Sequence, residues 1–279
     1  MKNKNILTVV TAVILIAAIV CGSLFFKTNK KIKAAETVKL SDITNEKVSL
    51  VAHRGLSSQA PENTLPALQL AAENGHTVAE FDIRLTKDGV WVLSHDSKIN
   101  RMTSSSGQIA DYTYFDLAGI KINNGANYKN YPGLKIPSLD DALDACLKYG
   151  IKPMIEIKSY TDEGIKKLVA SIISHGFEGS CYVISFNRQA LDKVRAKKKN
   201  IPLVLLVKKL DDDTVQKCIE DPETGVSFKA DKKHNTAEKI KKLTDAGIEL
   251  FCWVTDDAEY IDFYSPLGVK NFVTNRIIP

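Results

Sequence analysis

Short, continuous runs of apolar residues alternate with longer amphipathic stretches over most of the chain. Eight runs have the length of β-strands: 49–53, 77–83, 153–158, 181–185, 202–207, 225–229, 249–254 and 271–275. Between them, apolar residues recur at helical spacing in 64–74, 139–149, 162–175, 187–199, 211–220, 235–246 and 256–264. The pattern predicts strands and helices in alternation.

Continuous apolar runs are typical of parallel strands that are covered on both faces. Eight such strands with helical connections predict an α/β fold, a closed (β/α)8 TIM barrel over 47–279. An open, doubly wound sheet is the alternative. The chain has neither a G-x-G-x-x-G motif nor a P-loop, which are the usual nucleotide-binding features of open sheets. The barrel is therefore favoured.

A second kind of apolar segment precedes the barrel. Residues 6–26 carry no charge, and as a helix they would be about 31 Å long, enough to cross a bilayer core. A cleaved signal peptide is the alternative, but no convincing cleavage site follows. We expect an uncleaved transmembrane helix or signal anchor, with a short tail at 1–5 and a linker at 27–46. Lysines flank both ends, so charge does not determine its orientation.

The net charge of +5 belongs to the N-terminal region. Residues 1–35 contain six lysines and no acidic residue, and taking +6 from +5 leaves −1 for 36–279. A nearly neutral domain does not indicate binding to nucleic acid through a basic field. The sequence does not determine the oligomeric state.

Polar side chains occur where the predicted strands end, which is where barrel enzymes carry their chemistry. His53 and Arg54 follow the first run, and Lys158 ends the third. Glu80, Asp82 and Glu156 lie within apolar runs, where carboxylates are costly unless they are paired or bound to a metal. Glu80 and Asp82 are two residues apart and therefore share a strand face.

Three carboxylates from neighbouring strands suit a hard divalent cation, Mg²⁺ or Ca²⁺. A salt-bridge cluster with Arg54, Arg84 and Lys158 is the alternative interpretation.

Three histidines away from the predicted strand ends, His76, His175 and His234, are interpreted as surface residues.

A hairpin is predicted after the second strand. Asp88-Gly89 is a strong signal for a two-residue loop, and the resulting register sets His95 opposite Asp82. A one-residue shift would turn His95 to the other face. In the predicted register, His53 and His95 both reach the carboxylates. Two histidines beside an oxygen-ligated metal suit general acid–base catalysis of phosphoryl transfer.

At this point the sequence resembles the glycerophosphodiester phosphodiesterase family. The similarity runs from about residue 47 to the C-terminus. The motifs that carry it are "HRG" (53–55), "PENTLPAL" (61–68), "EFDIRLTKDG" (80–89), "HD" (95–96), "IPSLDDAL" (136–143), "IEIK" (155–158), "ISFNRQAL" (184–191) and "GVKNFVTNRI" (268–277). The combination is specific, although each motif alone is weak.

The resemblance implies a TIM barrel of the phospholipase-C-like phosphodiesterase type and a divalent metal. It implies hydrolysis of glycerophosphodiesters to sn-glycerol 3-phosphate and an alcohol. The residues matched by the motifs are an acid/base pair (His53, His95), metal ligands (Glu80, Asp82, Glu156), phosphate contacts (Arg54, Lys158), an aromatic residue at the substrate (Trp253) and a supporting residue (Glu62). Asn63 and Thr64 are interpreted as the cap of the following helix.

Two positions depart from the family pattern: Asn275 stands where an aspartate is usual, and "WVTDD" (253–257) replaces "WTVN". Both positions are expected at the rim of the barrel, outside the predicted metal ligands. The long segment 97–138 matches the family's insertion and is predicted to form a lid.

Three functions stay open at this stage. The first is a membrane-anchored, metal-dependent phosphodiesterase, with its domain outside the cytoplasm. The second is a related barrel that cleaves membrane lipids, as a lysophospholipase D or a phospholipase does. The third is a non-catalytic binding barrel, against which the complete set of histidines and carboxylates argues.

Overall fold

The computed structural model describes residues 48–277. The predicted tail, transmembrane segment and linker at 1–46 lie outside the described residues. Within 48–277, none of the helices has the length and apolar character needed to cross a bilayer.

In the described part of the chain, nine strands form one sheet. They are β1 (Ser49–Ala52), β2 (Val78–Leu85), β3 (Trp91–Leu93), β4 (Lys152–Ile157), β5 (Tyr182–Ser185), β6 (Leu203–Val207), β7 (Thr224–Lys229), β8 (Leu250–Trp253) and β9 (Asn271–Thr274). All strands except β3 pair in parallel in the order β1-β9-β8-β7-β6-β5-β4-β2, and β1 also pairs with β2. The eight parallel strands therefore close into a ring, and the predicted barrel is confirmed.

Among residues 48–277, eight α-helices accompany these strands. They are α1 (Leu65–Glu73), α2 (Tyr114–Ala118), α3 (Leu139–Tyr149), α4 (Asp162–Ser174), α5 (Arg188–Lys197), α6 (Asp212–Glu220), α7 (Ala237–Asp245) and α8 (Ala258–Tyr264). Their starts follow the sequence: Ser138, Thr161 and Asn187 each accept a hydrogen bond from a backbone N–H in the first turn. These caps fix where the three helices begin.

Two apolar layers hold the barrel together. The inner layer fills the ring with side chains from its strands, among them Val51, Met154, Ile184, Phe251 and Val273. The outer layer lies between the strands and the helices and is larger. Parallel strands buried on both faces account for the continuous apolar runs of the sequence.

His76 is also buried, so its interpretation as a surface residue is wrong.

The hairpin between β2 and β3 differs from the prediction by one residue. Leu85 pairs with Trp91, and Thr86 N donates a hydrogen bond to Val90 O (2.9 Å), so the loop has three residues. Gly89 takes the left-handed conformation (φ 71°), and its N–H donates to Thr86 O (3.0 Å). This loop is a turn followed by a left-handed glycine.

The predicted pairing of Asp82 with His95 is therefore wrong. Ser94, not His95, lies opposite Asp82, and its N–H donates to Asp82 O (3.0 Å). His95 follows the end of β3, where strand alternation no longer determines the direction of its side chain.

The segment 97–138 packs around a small apolar cluster of its own. Ile99, Ile109, Leu117 and Ile122 are buried together against Val92 of β3. Among residues 48–277, those that line the cavity at the barrel mouth include none from this segment. Its role as a lid stays a prediction.

Candidate active site

A cavity of about 350 Å³ opens at the carboxyl ends of the barrel strands. One wall is polar and contains six of the predicted site residues: His53, Arg54, Glu80, His95, Glu156 and Lys158. The rest of the lining forms a mostly apolar wall and includes Trp253, which was predicted, and Phe186, which was not. Asp82 and Glu62 contact the polar wall from behind.

The three predicted metal-ligating carboxylates lie together. Asp82 of β2 is in register with Glu156 of β4, and Glu80 lies one pleat earlier on β2. One oxygen of each lies within 4.8 Å of the others. Glu80 and Asp82 are only 2% and 1% exposed, so water does not compensate their charge.

Burial and mutual repulsion affect the ionisation of this cluster. Burial raises the pKa of Glu80 well above its usual value, and the neighbouring Asp82 and Glu156 raise it further. The same causes, burial and then Asp82, raise the pKa of Glu156 to about 7. Burial opposes ionisation of Asp82 as well, but Lys158 and Arg54 outweigh it and lower the pKa. Without a further cation, only part of the cluster holds its negative charge near neutral pH.

Two cations already neutralise one side of the cluster. Lys158 Nζ lies 2.8 Å from Glu156 Oε1 and 3.2 Å from Asp82 Oδ1. Arg54 Nε lies 3.3 Å from Asp82 Oδ2. The third predicted cation, Arg84, instead donates to the backbone oxygen of His95 at 3.0 and 2.7 Å. The ion pairs of the alternative interpretation thus exist for Arg54 and Lys158.

Those ion pairs leave Glu80 uncompensated. Its Oε1 is buried and has no hydrogen-bond partner within residues 48–277. Such an orphaned acceptor costs about 1–3 kcal/mol, and more when it is charged. Three carboxylates with a free buried oxygen are the donor set that a hard divalent cation takes. The residues therefore fit the predicted metal.

Asn63 is a site residue that the sequence interpretation missed. It was assigned to the cap of α1, but its Nδ2 donates to Asp82 Oδ2 (2.8 Å) and its Oδ1 accepts from Asp82 N (2.9 Å). The two bonds hold both the side chain and the backbone of Asp82. Asn63 has φ 57°, a conformation that asparagine tolerates better than most residues. Thr64 is the N-cap residue, but its hydroxyl bonds Pro61 O rather than the helix.

The "HRG" turn joins β1 to the carboxylates. Arg54 N donates to Glu80 Oε2 (2.9 Å), and Gly55 N donates to Glu80 O (3.0 Å). Gly55 has φ 74°, and a Cβ there would lie 2.6 Å from the backbone of Ala67. Only glycine fits a positive φ at this distance from helix α1.

His53 lies between the carboxylates and the end of β9. Its Nδ1 lies 2.6 Å from Asn275 Oδ1, and its Nε2 lies 4.0 Å from Glu80 Oε2. Burial and the neighbouring Arg54 lower the pKa of His53, against the smaller opposing effect of the Asn275 hydrogen bond. The ring is therefore neutral near pH 7, as a proton acceptor requires.

His95 lines the same cavity and lies two residues past the end of β3. Its Nδ1 lies 2.8 Å from Asp96 Oδ1. A carboxylate only accepts, so Nδ1 carries a proton and Nε2 is the atom left for a ligand. Burial opposes ionisation of Asp96, but hydrogen bonds from Arg101 and His95 lower its pKa to about 2. The ionised Asp96 carboxylate therefore holds the orientation of the His95 ring.

Trp253 and Phe186 form the apolar edge of the mouth. Their rings make a T-shaped contact with centroids 5.7 Å apart. Trp253 Nε1 donates to Ser227 O (3.1 Å), which fixes the indole ring. Phe186 belongs to the quoted motif "ISFNRQAL", and its position directly after β5 is the signal that could have identified it.

A closed parallel barrel with a polar cluster at the carboxyl ends of its strands is the architecture of the barrel enzymes. Residues 53–278 match the family described as the glycerophosphoryl diester phosphodiesterase family. The match covers most of the chain, and the chain belongs to this family.

Individual proteins agree with the family match. Glycerophosphodiester phosphodiesterase of Bacillus subtilis is 29% identical over 250 residues, which are 84% of this chain and 85% of that protein. Glycerophosphodiester phosphodiesterase 1 of Mus musculus is 36% identical over 167 residues, 56% of this chain. That alignment spans about half of the mouse protein, 49%.

Solved structures share the fold. A phosphodiesterase of Oleispira antarctica, solved in complex with the product sn-glycerol-3-phosphate, has a TM-score of 0.75 and 25% identity. The similarity covers 81% of this chain and 92% of that one.

Proposed function

We propose that this chain is a phosphoric diester hydrolase that converts glycerophosphodiesters to sn-glycerol 3-phosphate and an alcohol. The observation that carries the proposal is that His53 and His95 line one cavity with the three-carboxylate cluster. The family match and the B. subtilis relative support the choice of substrate class.

In the proposed reaction, Glu80, Asp82 and Glu156 would hold one divalent cation, Mg²⁺ or Ca²⁺, which would supply charge neutralisation for the phosphate oxygens. Arg54 and Lys158 flank the cluster and supply further positive charge toward the phosphate. Glu62 Oε1 lies 2.9 Å from Arg54 Nη1 and so fixes the direction of that guanidinium.

The two histidines move protons. The Nε2 atom of one histidine takes a proton from the attacking water while the new P–O bond forms. The other gives a proton to the oxygen of the alcohol as its bond to phosphorus breaks. The neutral, amide-bonded His53 suits the acceptor role, and His95, backed by the Asp96 carboxylate, suits the donor role.

A second substrate class is supported by the apolar wall. Phe186, Trp253, Leu206 and Val273 line the cavity and offer contacts to carbon-rich parts of a substrate. Lysophospholipids combine a phosphodiester with an acyl chain and are therefore the alternative substrates. Anchoring through 6–26, with the barrel outside the cytoplasm, belongs to the same proposal.

The experiment is a substrate panel on the full chain. Release of glycerol 3-phosphate is measured with glycerophosphocholine and glycerophosphoethanolamine, and release of choline is measured with lysophosphatidylcholine. Each is tested with a chelator, with Mg²⁺ and with Ca²⁺. We expect turnover of the glycerophosphodiesters that the chelator abolishes and one metal restores. If no diester is cleaved with either metal, the non-catalytic binding barrel replaces the proposal.

A further inference from the structure

Three residues from distant parts of the chain meet behind His53. β1, β9 and β8 are neighbours in the barrel, and His53 directly follows β1. Asn275 directly follows β9, and Asp256 lies three residues past the end of β8. Asp256 and Asn275 are outside the predicted metal cluster and outside the predicted acid/base pair.

Asp256 acts as a hydrogen-bond acceptor for the β9 end. Its Oδ2 accepts from Asn275 Nδ2 (2.6 Å), and its Oδ1 accepts from Asn275 N (2.7 Å) and Thr274 Oγ1 (2.9 Å). Burial alone would raise the pKa of Asp256, but the hydrogen bonds from Asn275 and Thr274 lower it. Asp256 is therefore ionised and can only accept.

This arrangement determines which way the Asn275 amide points. With Nδ2 donating to Asp256, Oδ1 faces His53 Nδ1 (2.6 Å) and also accepts from Ser57 Oγ (3.2 Å). The flipped amide would set its oxygen against a carboxylate oxygen, two acceptors with no hydrogen between them. Since Asn275 Oδ1 only accepts, His53 Nδ1 carries the proton.

We propose that Asn275 and Asp256 are positioning residues for this site: Asp256 fixes the Asn275 amide, and Asn275 holds His53 in the tautomer with Nδ1 protonated and Nε2 facing the cavity. The inference rests on the proposed function for its effect on turnover, but its effect on the histidine ring is independent of any reaction. In proteins, the hydrogen bond made by one ring nitrogen of a histidine generally determines which nitrogen carries the proton.

The amide next to His53 adds no charge to the carboxylate cluster. His53 Nε2 lies 4.0 Å from Glu80 Oε2, and Glu80 already repels two other carboxylates. A carboxylate at 275 would add another negative charge to this region. Asn275 gives the same directional hydrogen bond without that charge, and the carboxylate stands one residue further out, at Asp256.

The first test reads the tautomer without substrate. Nitrogen NMR on the full chain with labelled histidine distinguishes a protonated Nδ1 from a protonated Nε2. We expect a protonated Nδ1 at His53 in the natural chain and loss of that state in Asn275→Leu. His95, held by Asp96, serves as the internal reference and keeps its signal. Asn271→Leu is the matched control, because Asn271 lies at the opposite end of β9, bonded to Glu249.

The second test reads turnover. Asn275→Leu is expected to lower kcat by about ten- to hundredfold with little change in KM, as for other residues that orient a site histidine. Asn275→Asp alone sets two carboxylates against each other and is also impaired. The exchange of both residues, Asp256→Asn with Asn275→Asp, restores one carboxylate facing one amide and is expected to recover turnover severalfold over Asn275→Asp.

The results separate this inference from the proposed function. If the full chain releases no glycerol 3-phosphate, the proposed function fails and the tautomer measurement still decides the inference. A His53 ring that keeps its protonated Nδ1 in Asn275→Leu overturns it. If Asn275→Leu also loses the His95 signal, the fold is disturbed and the double exchange decides: turnover no better than that of Asn275→Asp overturns the inference.

Discussion

Arg101 and Glu62 form a bidentate ion pair at the edge of the candidate site. Arg101 Nη2 lies 2.7 Å from Glu62 Oε1, and Nη1 lies 2.9 Å from Glu62 Oε2. Arg101 Nε also donates to Asp96 Oδ2 (2.6 Å). Since Glu62 binds Arg54 and Asp96 binds His95, one guanidinium connects Arg54 to the second histidine.

Arg101→Ala should therefore reduce turnover without abolishing it. Asp96 and Glu62 lose their shared cation, so His95 and Arg54 become less well oriented. We expect kcat to fall roughly ten- to hundredfold, the size of a small misplacement of reacting groups. Steady-state kinetics with glycerophosphocholine measure it. Arg188→Ala is the control, because Arg188 makes a comparable pair of ion bridges away from the cavity. Turnover within twofold of the natural chain would contradict the prediction.

The two histidines should be separately essential. His53→Ala and His95→Ala each remove one proton-transfer group, which typically costs about 10²–10⁴-fold in rate. Metal binding, measured by calorimetry, should stay largely intact because neither residue belongs to the carboxylate cluster. His175→Ala, which removes a histidine outside the cavity, should keep full activity. Substantial activity in either cavity variant would remove it from the acid/base pair.

Glu80→Gln tests the metal site. The amide keeps the shape of the side chain but removes a charged ligand, so the metal concentration for half-maximal activity should rise about tenfold or more. Calorimetric titration with Mg²⁺ and Ca²⁺ gives a second measurement that needs no turnover. Glu163→Gln, on the exposed face of α4, is the matched control. An unchanged metal titration would exclude Glu80 from the ligand set.

Gly55→Ala should destabilise the fold. Positive φ costs an alanine about 1 kcal/mol, and the close approach to Ala67 adds about 1–3 kcal/mol, so a loss of about 2–4 kcal/mol is expected. Gly75 has a similar φ of 83° but nothing within 4 Å, so Gly75→Ala should lose only about 1 kcal/mol. Urea unfolding of both variants measures the difference. Equal losses would show that the contact with Ala67 does not matter.

His76 should make stability depend on pH. Burial lowers its pKa in the folded state, against a smaller opposing effect of its hydrogen bond to Leu50 O. The unfolded chain then binds more protons as pH falls through about 6.5, so this contribution to stability is present above that pH and is lost below it. The unfolding free energy of the natural chain relative to His76→Gln should therefore decline from about pH 7.5 to about pH 5. A difference that stays constant with pH would contradict the assignment.

Most of the fold was predictable from the sequence because burial on both faces leaves a simple pattern. The run 153–158 corresponds to β4 at Lys152–Ile157, and the predicted helix 139–149 coincides with α3. The alternation of elements then limits the topology to few choices. The carboxylates followed from the same reasoning, since charge inside a buried strand requires a partner.

The hairpin register could not be derived from the Asp88-Gly89 signal alone. Thr86 Oγ1 accepts a hydrogen bond from Val90 N (2.9 Å), which favours a three-residue loop over a two-residue one. His95 still reaches the cavity because it lies past β3 and Arg84 holds its backbone oxygen. His95 thus lines the cavity although the pairing from which this was predicted is wrong.

The residues that support the site escaped prediction for a different reason. Asn63 clamps Asp82 and Asn275 holds His53 through contacts between segments far apart in sequence. Periodicity and local motifs describe neighbours along one element and carry no information about such pairs. An asparagine in a turn looks the same whether it caps a helix or orients a carboxylate.

The bond between His53 and Asn275 joins residues that are 222 positions apart, at the seam where the first strand of the ring meets the last. Pairing of such distant segments carries the largest loop-closure cost and is slow to form. A nascent chain can align Glu80, Asp82 and Glu156 as soon as β2 and β4 pair, well before β9 is synthesised. The imidazole of His53 is held by Asn275 only after β9 has closed the barrel. The order of synthesis thus delays the reactive geometry until the whole barrel exists.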